Sequence, residues 1–245
     1  MMIKRLIDAT RDKKRLHVLP TALTFANACL GLLSIIQSLE CNYMLASYFI
    51  LCAAVMDFWD GRLARALNAQ SPFGMELDSL SDAISFVLAP AILLYSWTVS
   101  DFGPLGTAIL ALYLCAGLFR LAKFNITSES QSQYFIGLPT PIASFLVTSF
   151  VVYQEWLEAS RVKFMYHKLW LISLIVFISF LMVSKIKFPA FKQRGRSRYS
   201  LFNVFLVLSP VGLLGLIYGY PVFLFMLVWY LGYGIFKTVF PKFHR

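Results

Sequence analysis

The chain has 245 residues, of which 59% are hydrophobic and only 14% are charged, and its mean hydropathy is +0.70. A soluble domain has roughly 45–50% apolar and about 25% charged residues, so this composition excludes an ordinary soluble protein and indicates a polytopic membrane protein. The formal net charge of +10 could favour nucleic acid, but the basic residues lie between apolar segments in a membrane-topology pattern, so no nucleic-acid partner is expected.

A basic segment, residues 1–18, comes first and is either a solvated tail or a short helix lying on an anionic membrane surface. Pro20 is then predicted to open the first spanning helix, at a position that suits proline. A short tail, residues 240–245, follows the last predicted helix.

Between these ends, residues 19–239 are predicted to form one transmembrane domain. A spanning helix needs about 20 apolar residues, with a range of about 17–25. The segments that meet this rule are 19–38, 43–66, 74–97, 104–124, 139–157, 168–185, 200–218 and 221–239. The predicted fold is therefore an all-α, polytopic membrane helical bundle with about eight transmembrane helices.

The distribution of basic residues predicts the orientation of this bundle. With the N-terminus in the cytoplasm, nineteen of the 22 Lys and Arg residues fall on the inner side and three on the outer side. Cytoplasmic loops of membrane proteins carry an excess of Lys and Arg, so both termini are predicted to be cytoplasmic.

One polar pattern interrupts the apolar segments, at the end of the second predicted helix and the start of the third. It reads D-x2-D-G-x2-A-R-x8-G-x3-D-x3-D and begins at Asp57. Asp57 and Asp60 are three residues apart, and Asp78 and Asp82 are four apart, so each pair lies on one helix face. Because a short polar turn joins the two helices, we expect the two pairs to face each other in a cavity open to the cytoplasm.

Four crowded carboxylates need positive charge nearby. Each would cost about 2.5–3.5 kcal/mol at the middle of a membrane helix, and hard divalent cations, which prefer oxygen ligands, are the natural compensation. Gly61, Ala64 and Gly74 lie on the same faces and leave room for a ligand, and the planar guanidinium of Arg65 suits phosphate oxygens. The pattern indicates a metal-dependent phosphate site. The alternatives are an interhelical salt bridge and, from another class of protein, a cation transporter.

The full pattern matches, at every spacing, the signature of the CDP-alcohol phosphotransferases, so the chain resembles that family of membrane enzymes of phospholipid synthesis. Further stretches resemble one branch of the family, the membrane-embedded bacterial phosphatidylserine synthases. They are Leu19–Ile35, Leu118–Ile126, Gly137–Pro141 and Leu181–Lys192. The chain departs from the family at Thr21, where an asparagine commonly follows the proline.

The resemblance implies transfer of the phosphatidyl group from CDP-diacylglycerol to the hydroxyl of L-serine, which gives phosphatidylserine and CMP. It implies two Mg²⁺ or Mn²⁺ ions, with Asp57, Asp60, Asp78 and Asp82 as metal ligands, and Asp82 as the general base. The residues implied to bind CDP-diacylglycerol are Gly61, Ala64, Arg65, Ser71 and Gly74. It also implies a homodimer that contacts membrane lipid. The protein is then expected in the inner membrane of a bacterium, with its active site facing the cytoplasm.

The carboxylate of serine needs a cation, and Arg120 and Lys123, at the inner end of the fourth predicted helix, are the candidates. Alternatively, they are ordinary cytoplasmic-side cations whose side chains reach the interface. Two rival acceptors, glycerol 3-phosphate and an inositol phosphate, would use the same chemistry. Because they carry a phosphate, they need a denser cationic pocket.

Overall fold

The computed structural model describes residues 2–67, 69–127, 134–159, 168–184 and 186–189. Within these ranges the chain is helical almost throughout. The elements are α1 (Met2–Leu39), α2 (Tyr43–Ala66), α3 (Pro72–Asp82), a π-helical segment (Ala83–Leu88), α4 (Ala89–Trp97), a 3₁₀ turn (Val99–Phe102), α5 (Gly103–Thr127), strand β1 (Tyr134–Ile136), α6 (Thr140–Ala159), α7 (Lys168–Val183) and strand β2 (Lys187–Pro189).

Four helical stretches of the described chain are long and apolar enough to cross a membrane. They are Val18–Leu39, Tyr43–Ala66, Pro72–Trp97 and Val99–Ile126, and Leu169–Val183 is a shorter apolar helix. Large apolar side chains such as Leu32, Leu80 and Phe180 are exposed, as expected for surfaces that contact lipid. The predicted helical membrane protein is confirmed. The total of about eight spans stays a prediction. Helices α6 and α7 cover the predicted segments 139–157 and 168–185 but are not among these four, and segments 200–218 and 221–239 lie outside the described residues.

The first helix begins earlier than the sequence predicts. α1 starts at Met2 and contains Pro20 in its interior, so the prediction that Pro20 opens the helix is wrong. Lys, Arg and Leu, which are good helix formers, are frequent before the proline and allow the helix to extend past it. One turn after the proline, the Thr24 hydroxyl donates to the Pro20 carbonyl oxygen at 3.1 Å.

The third predicted helix contains an irregularity directly after Asp82. α3, the π-helical segment and α4 follow one another without a break from Pro72 to Trp97. The π-helical segment is held by α5, where the buried Tyr113 hydroxyl donates to the Phe86 carbonyl oxygen at 3.3 Å. π-helical turns inside α-helices are rare and often occur at functional sites.

A short antiparallel strand pair joins the start of α6 to the end of α7. The paired residues are Tyr134 with Pro189, Phe135 with Phe188, and Ile136 with Lys187. After β1, the Gly137 N–H donates to the Ile186 carbonyl at 2.9 Å, and the Leu138 N–H donates to the Leu181 carbonyl at 3.0 Å. Gly137 has a φ of +81°, in the region that favours glycine. This strand pair is an addition to the predicted all-α architecture.

The apolar core contains side chains from most of the helices. Fully buried members are Ile50, Phe86, Leu93, Tyr113, Val151 and Ile175. Because lipid is as apolar as these side chains, they stabilise a membrane bundle mainly through close packing. This packing fixes the positions of α2 and of the helix that begins with α3, which carry the four aspartates.

Candidate active site

A capped turn brings the two aspartate pairs to the same end of the bundle. α2 ends at Ala66, and α3 begins after Ser71, whose Oγ accepts a hydrogen bond from the Gly74 N–H at 3.0 Å. Pro72 occupies the first turn of α3, where its missing N–H has no intrahelical partner to lose. The turn reverses the chain, so the residues before it and after it lie at similar depth.

The four predicted metal ligands, named here the aspartate cluster, are Asp57, Asp60, Asp78 and Asp82. One carboxylate oxygen from each of Asp57, Asp60 and Asp78 lies within 4.8 Å of the others. Asp82 lies next to this group, and its carboxyl group interacts with that of Asp57. Asp60 is only 3% exposed, and the other three are half-buried. The structure therefore brings all four predicted carboxylates together.

The surroundings of the aspartate cluster fit a divalent cation. Within the part of the chain that the structure describes, Asp60 Oδ2 and Asp78 Oδ1 are buried and have no hydrogen-bond partner. A buried carboxylate oxygen without a partner is costly, and a bound cation would remove that cost. Carboxylate oxygens are also the donors that suit Mg²⁺ and Mn²⁺. The number of ions stays a prediction.

Arg65 lies near the aspartate cluster, and its side chain is exposed. Its positive charge acts favourably on Asp57, Asp60 and Asp78. Its guanidinium folds back along α2, so that a Cβ at Gly61 would lie 3.7 Å from Nη1 and 3.9 Å from Nη2. These are ordinary contact distances. The glycine therefore leaves space beside the guanidinium, as a ligand site requires.

Three other residues predicted to bind the nucleotide have local structural roles. Ser71 caps α3, and a Cβ at Gly74 would lie 3.2 Å from the Ser71 Oγ. Ala64 is half-buried, and its carbonyl accepts a hydrogen bond from the Ala69 N–H at 2.8 Å. These contacts explain how α2 ends and α3 begins. Nucleotide binding by Ser71, Ala64 and Gly74 stays a prediction.

α5 brings the two predicted acceptor residues to the depth of the aspartate cluster. Its contacts with the neighbouring helix include a hydrogen bond from Ser79 Oγ to Asn125 Oδ1 at 2.9 Å and a close approach of Gly117 to Val87. The two helices therefore run in opposite directions, with Arg120 at about the level of Asp82. Arg120 is only 6% exposed, and its guanidinium lies 5.3 Å from the Phe124 ring centroid. Lys123, one turn further on, is half-buried.

α1 contributes two polar side chains that the sequence pattern does not assign to the site. Asn27 Nδ2 donates to Asp82 Oδ1 at 3.3 Å, and the Thr24 hydroxyl lies within hydrogen-bonding reach of Asp60. Both residues are buried. Their spacing offers a signal, because polar residues three apart lie on one face of a helix, and in a membrane span they need a polar neighbour there.

The fold and the site define an integral membrane protein with a partly buried, oxygen-rich site suited to a divalent cation and a phosphate group. The chain belongs to the CDP-alcohol phosphatidyltransferase family, whose sequence model matches residues 17–208. It is therefore a membrane transferase of phospholipid biosynthesis.

Relatives from three organisms cover most of the chain. A CDP-diacylglycerol–serine O-phosphatidyltransferase from Helicobacter pylori is 33% identical over 229 residues, which cover 92% of each chain. An enzyme of the same name from Bacillus subtilis is 36% identical over 178 residues, 73% of this chain and 93% of the relative. An archaetidylserine synthase from Methanothermobacter thermautotrophicus is 35% identical over 181 residues, 73% of this chain and 72% of the relative. These similarities confirm the family resemblance seen in the sequence.

Proposed function

We propose that the protein transfers the phosphatidyl group of CDP-diacylglycerol to the hydroxyl of L-serine, forming phosphatidylserine and CMP. The observation that carries the proposal is the set of carboxylate oxygens from Asp57, Asp60 and Asp78, which lie within 4.8 Å of one another beside Arg65. Such a set suits the binding of a diphosphate through a divalent cation. The names of the relatives, which all include serine, support the choice of acceptor.

The donor is bound and oriented by the aspartate cluster and Arg65. The cluster would hold the divalent cations, which when bound neutralise charge on the diphosphate and on the departing CMP. Arg65 binds a phosphate oxygen through its planar guanidinium, and Gly61 leaves space for the diphosphate. Positioning and charge neutralisation are the main demands of a displacement at phosphorus.

The acceptor is activated by Asp82. This carboxylate takes the proton of the serine hydroxyl while the hydroxyl oxygen forms a bond to the phosphorus that carries diacylglycerol. The bond from that phosphorus to the CMP oxygen breaks, and CMP leaves as an anion that needs no proton. Arg120, buried at the same depth, pairs with the serine carboxylate, and Lys123 adds positive charge nearby.

A panel of acceptors tests the proposal. Purified protein in detergent, supplied with CDP-diacylglycerol and Mg²⁺ or Mn²⁺, should release CMP when L-serine is added. Release with glycerol 3-phosphate or an inositol phosphate, and not with serine, would contradict the choice of acceptor. A cation transporter would release no CMP with any acceptor. Repeating the panel with a CDP-activated archaetidyl lipid in place of CDP-diacylglycerol tests whether the protein uses the lipid that the name of one relative indicates.

Replacing Arg120 by alanine should raise the KM for serine about ten- to a hundredfold, because a hydrogen bond to a charged group is worth about 1.5–3 kcal/mol. The KM for CDP-diacylglycerol should change little, since the aspartate cluster and Arg65 bind that substrate. Arg120→Lys should recover only part of the serine affinity, because an ammonium keeps the charge but loses the planar geometry. Initial rates measured with each substrate varied in turn give both constants.

Arg62 provides a matched control for this experiment. It lies on α2 near Arg65, and its guanidinium is 4.7 Å from the Phe58 ring centroid. Arg62→Ala should leave the serine KM unchanged, and Lys123→Ala should act in the same direction as Arg120→Ala but more weakly. A serine KM that rises in Arg62→Ala and not in Arg120→Ala would move the acceptor site to α2.

The proposed orientation places both termini and the active site in the cytoplasm, with the protein in the inner membrane of a bacterium. The excess of Lys and Arg on one side supports it. A cysteine introduced by Gly195→Cys should react with a membrane-impermeant thiol reagent only from the cytoplasmic face, and one introduced by Glu158→Cys only from the opposite face. The background must lack the native Cys29, Cys41, Cys52 and Cys115, which are all exposed. Labelling of both positions from one face would contradict the single span predicted between them.

A homodimer is also proposed, on the family resemblance alone. Cross-linking in native membranes should then capture a species of twice the chain mass. A single-chain species at every cross-linker concentration would contradict it.

A further inference from the structure

Asn27 of α1 contacts the helix that carries Asp82 in two ways. Its Nδ2 donates to Asp82 Oδ1 at 3.3 Å, and its backbone carbonyl accepts a hydrogen bond from Ser85 Oγ at 2.9 Å. Asn27 and Ser85 are both fully buried. One residue of α1 therefore bonds to Asp82 and to the turn that follows it.

The close approach of α1 to this turn depends on Gly31. A Cβ at Gly31 would come within 2.9 Å of the Ser85 Cα, which is closer than real Cβ contacts. The π-helical segment begins directly after Asp82. The contacts of Asn27 and Gly31 with Ser85 therefore hold α1 against the turn next to that aspartate.

Packing alone does not explain an amide at this position. Within the described ranges, Asn27 Oδ1 is buried and has no hydrogen-bond partner. A buried oxygen without a partner destabilises the folded protein, and an apolar residue would avoid that loss. The compensating gain lies at the other end of the amide, where Asp82 offers a carboxylate, a strong acceptor for an N–H donor.

We propose that Asn27 is a positioning residue for the transfer reaction. Its amide holds the Asp82 carboxylate in one orientation, in which one oxygen accepts from Asn27 and the other is directed at the acceptor hydroxyl. This inference rests on the proposed function, in which Asp82 takes the acceptor's proton. Without the amide, the carboxylate samples more orientations, and the geometry for proton transfer is populated less.

Asn27→Ala removes the hydrogen-bond donor. The kcat should fall roughly ten- to a hundredfold, as expected for the loss of a hydrogen bond to a charged group. The KM for CDP-diacylglycerol should not change, because Asp57, Asp60, Asp78 and Arg65 keep their places and bind that substrate. CDP-diacylglycerol with Mg²⁺ should also raise the Tm of the variant as much as that of the wild type. Asn27→Gln, which keeps an amide on a longer side chain, should recover part of the turnover.

Ser34→Ala is the matched control. Ser34 is a fully buried polar residue of α1 whose hydroxyl lacks a hydrogen-bond partner among the described residues. Its replacement should leave kcat unchanged. Where Asn27→Ala does not fold, Asn27→Ser makes the same test, because its hydroxyl is too short to reach Asp82.

Wild-type kcat in Asn27→Ala would overturn the inference. A fall in kcat together with loss of the ligand-induced rise in Tm would also overturn it, because that pattern marks a structural role. Failure of the proposed function looks different, because the wild type then releases no CMP with serine. In that case the kcat of Asn27→Ala is compared with the wild-type kcat, using the acceptor that does support CMP release. No CMP release from the wild type with any acceptor would overturn both.

Discussion

Asp57→Asn and Asp78→Asn should each lower turnover by about a thousandfold or more. Each substitution keeps the size of the side chain. It removes a charged oxygen from a set of carboxylate oxygens that lie within 4.8 Å of one another. Metal ions contribute several kcal/mol of charge stabilisation to such reactions. A loss of about 4 kcal/mol corresponds to about a thousandfold, since each 1.36 kcal/mol is tenfold. Serine-dependent release of CMP, with equal amounts of folded protein, measures the effect.

Glu76→Gln provides the control for charge removal. Glu76 is an exposed carboxylate on α3, two residues before Asp78, and does not belong to the aspartate cluster. Its replacement should leave turnover unchanged. A chelator should abolish turnover in the wild type, and added Mg²⁺ or Mn²⁺ should restore it. Full turnover in excess chelator, or an equal loss in Glu76→Gln, would contradict the metal-dependent mechanism.

The aspartate cluster could be predicted because its determinants are local in sequence. Helical spacing puts Asp57 with Asp60 and Asp78 with Asp82 on single faces, and a short turn brings the two pairs together. Ser71 and Pro72 are typical of a helix start, so α3 begins where the pattern predicts. No long-range information is needed for these inferences.

The other contacts of the site depend on residues far apart in the chain. Asn27 and Asp82 are separated by 55 positions, and an asparagine in a membrane helix does not indicate which helix it contacts. The π-helical segment after Asp82 has an ordinary apolar sequence and is held by packing against Gly31 and Gly117. Such contacts are visible only when the helices are assembled.

The strand pair could not be predicted for a different reason. Alternation of apolar and polar residues becomes a signal over about four to eight positions, whereas β1 and β2 have three residues each. The predicted helix start at Pro20 is wrong, because the preference of proline for the first turn of a helix is weaker than the helix-forming tendency of the residues before it. In both cases a weak or short local sequence signal is outweighed by the interactions of the surrounding chain.

Gly137→Ala should destabilise the folded protein by more than about 4 kcal/mol, the range of the most damaging single substitutions. At a φ of +81°, alanine carries a backbone strain of about 1–3 kcal/mol. Its Cβ would also overlap the carbonyl oxygen of Met182 and lie 3.2 Å from that of Ser184. Met182 is 2% exposed, so it has little room to move. A shift of the backbone to relieve the clash would weaken the hydrogen bond from Gly137 to Ile186, which joins the start of α6 to the end of α7.

Gly103→Ala is the comparison that separates the clash from the backbone strain. Gly103 also has a positive φ, +55°, but a Cβ there would have no atom of the described residues within 4 Å. The alanine should therefore lose only the strain, about 1–3 kcal/mol. Thermal unfolding of both variants in detergent should show a much larger fall in Tm for Gly137→Ala. Equal falls would mean that the positive φ alone requires glycine, and that the contact with the end of α7 adds little. A larger fall at Gly137 would mean that this contact fixes the start of α6.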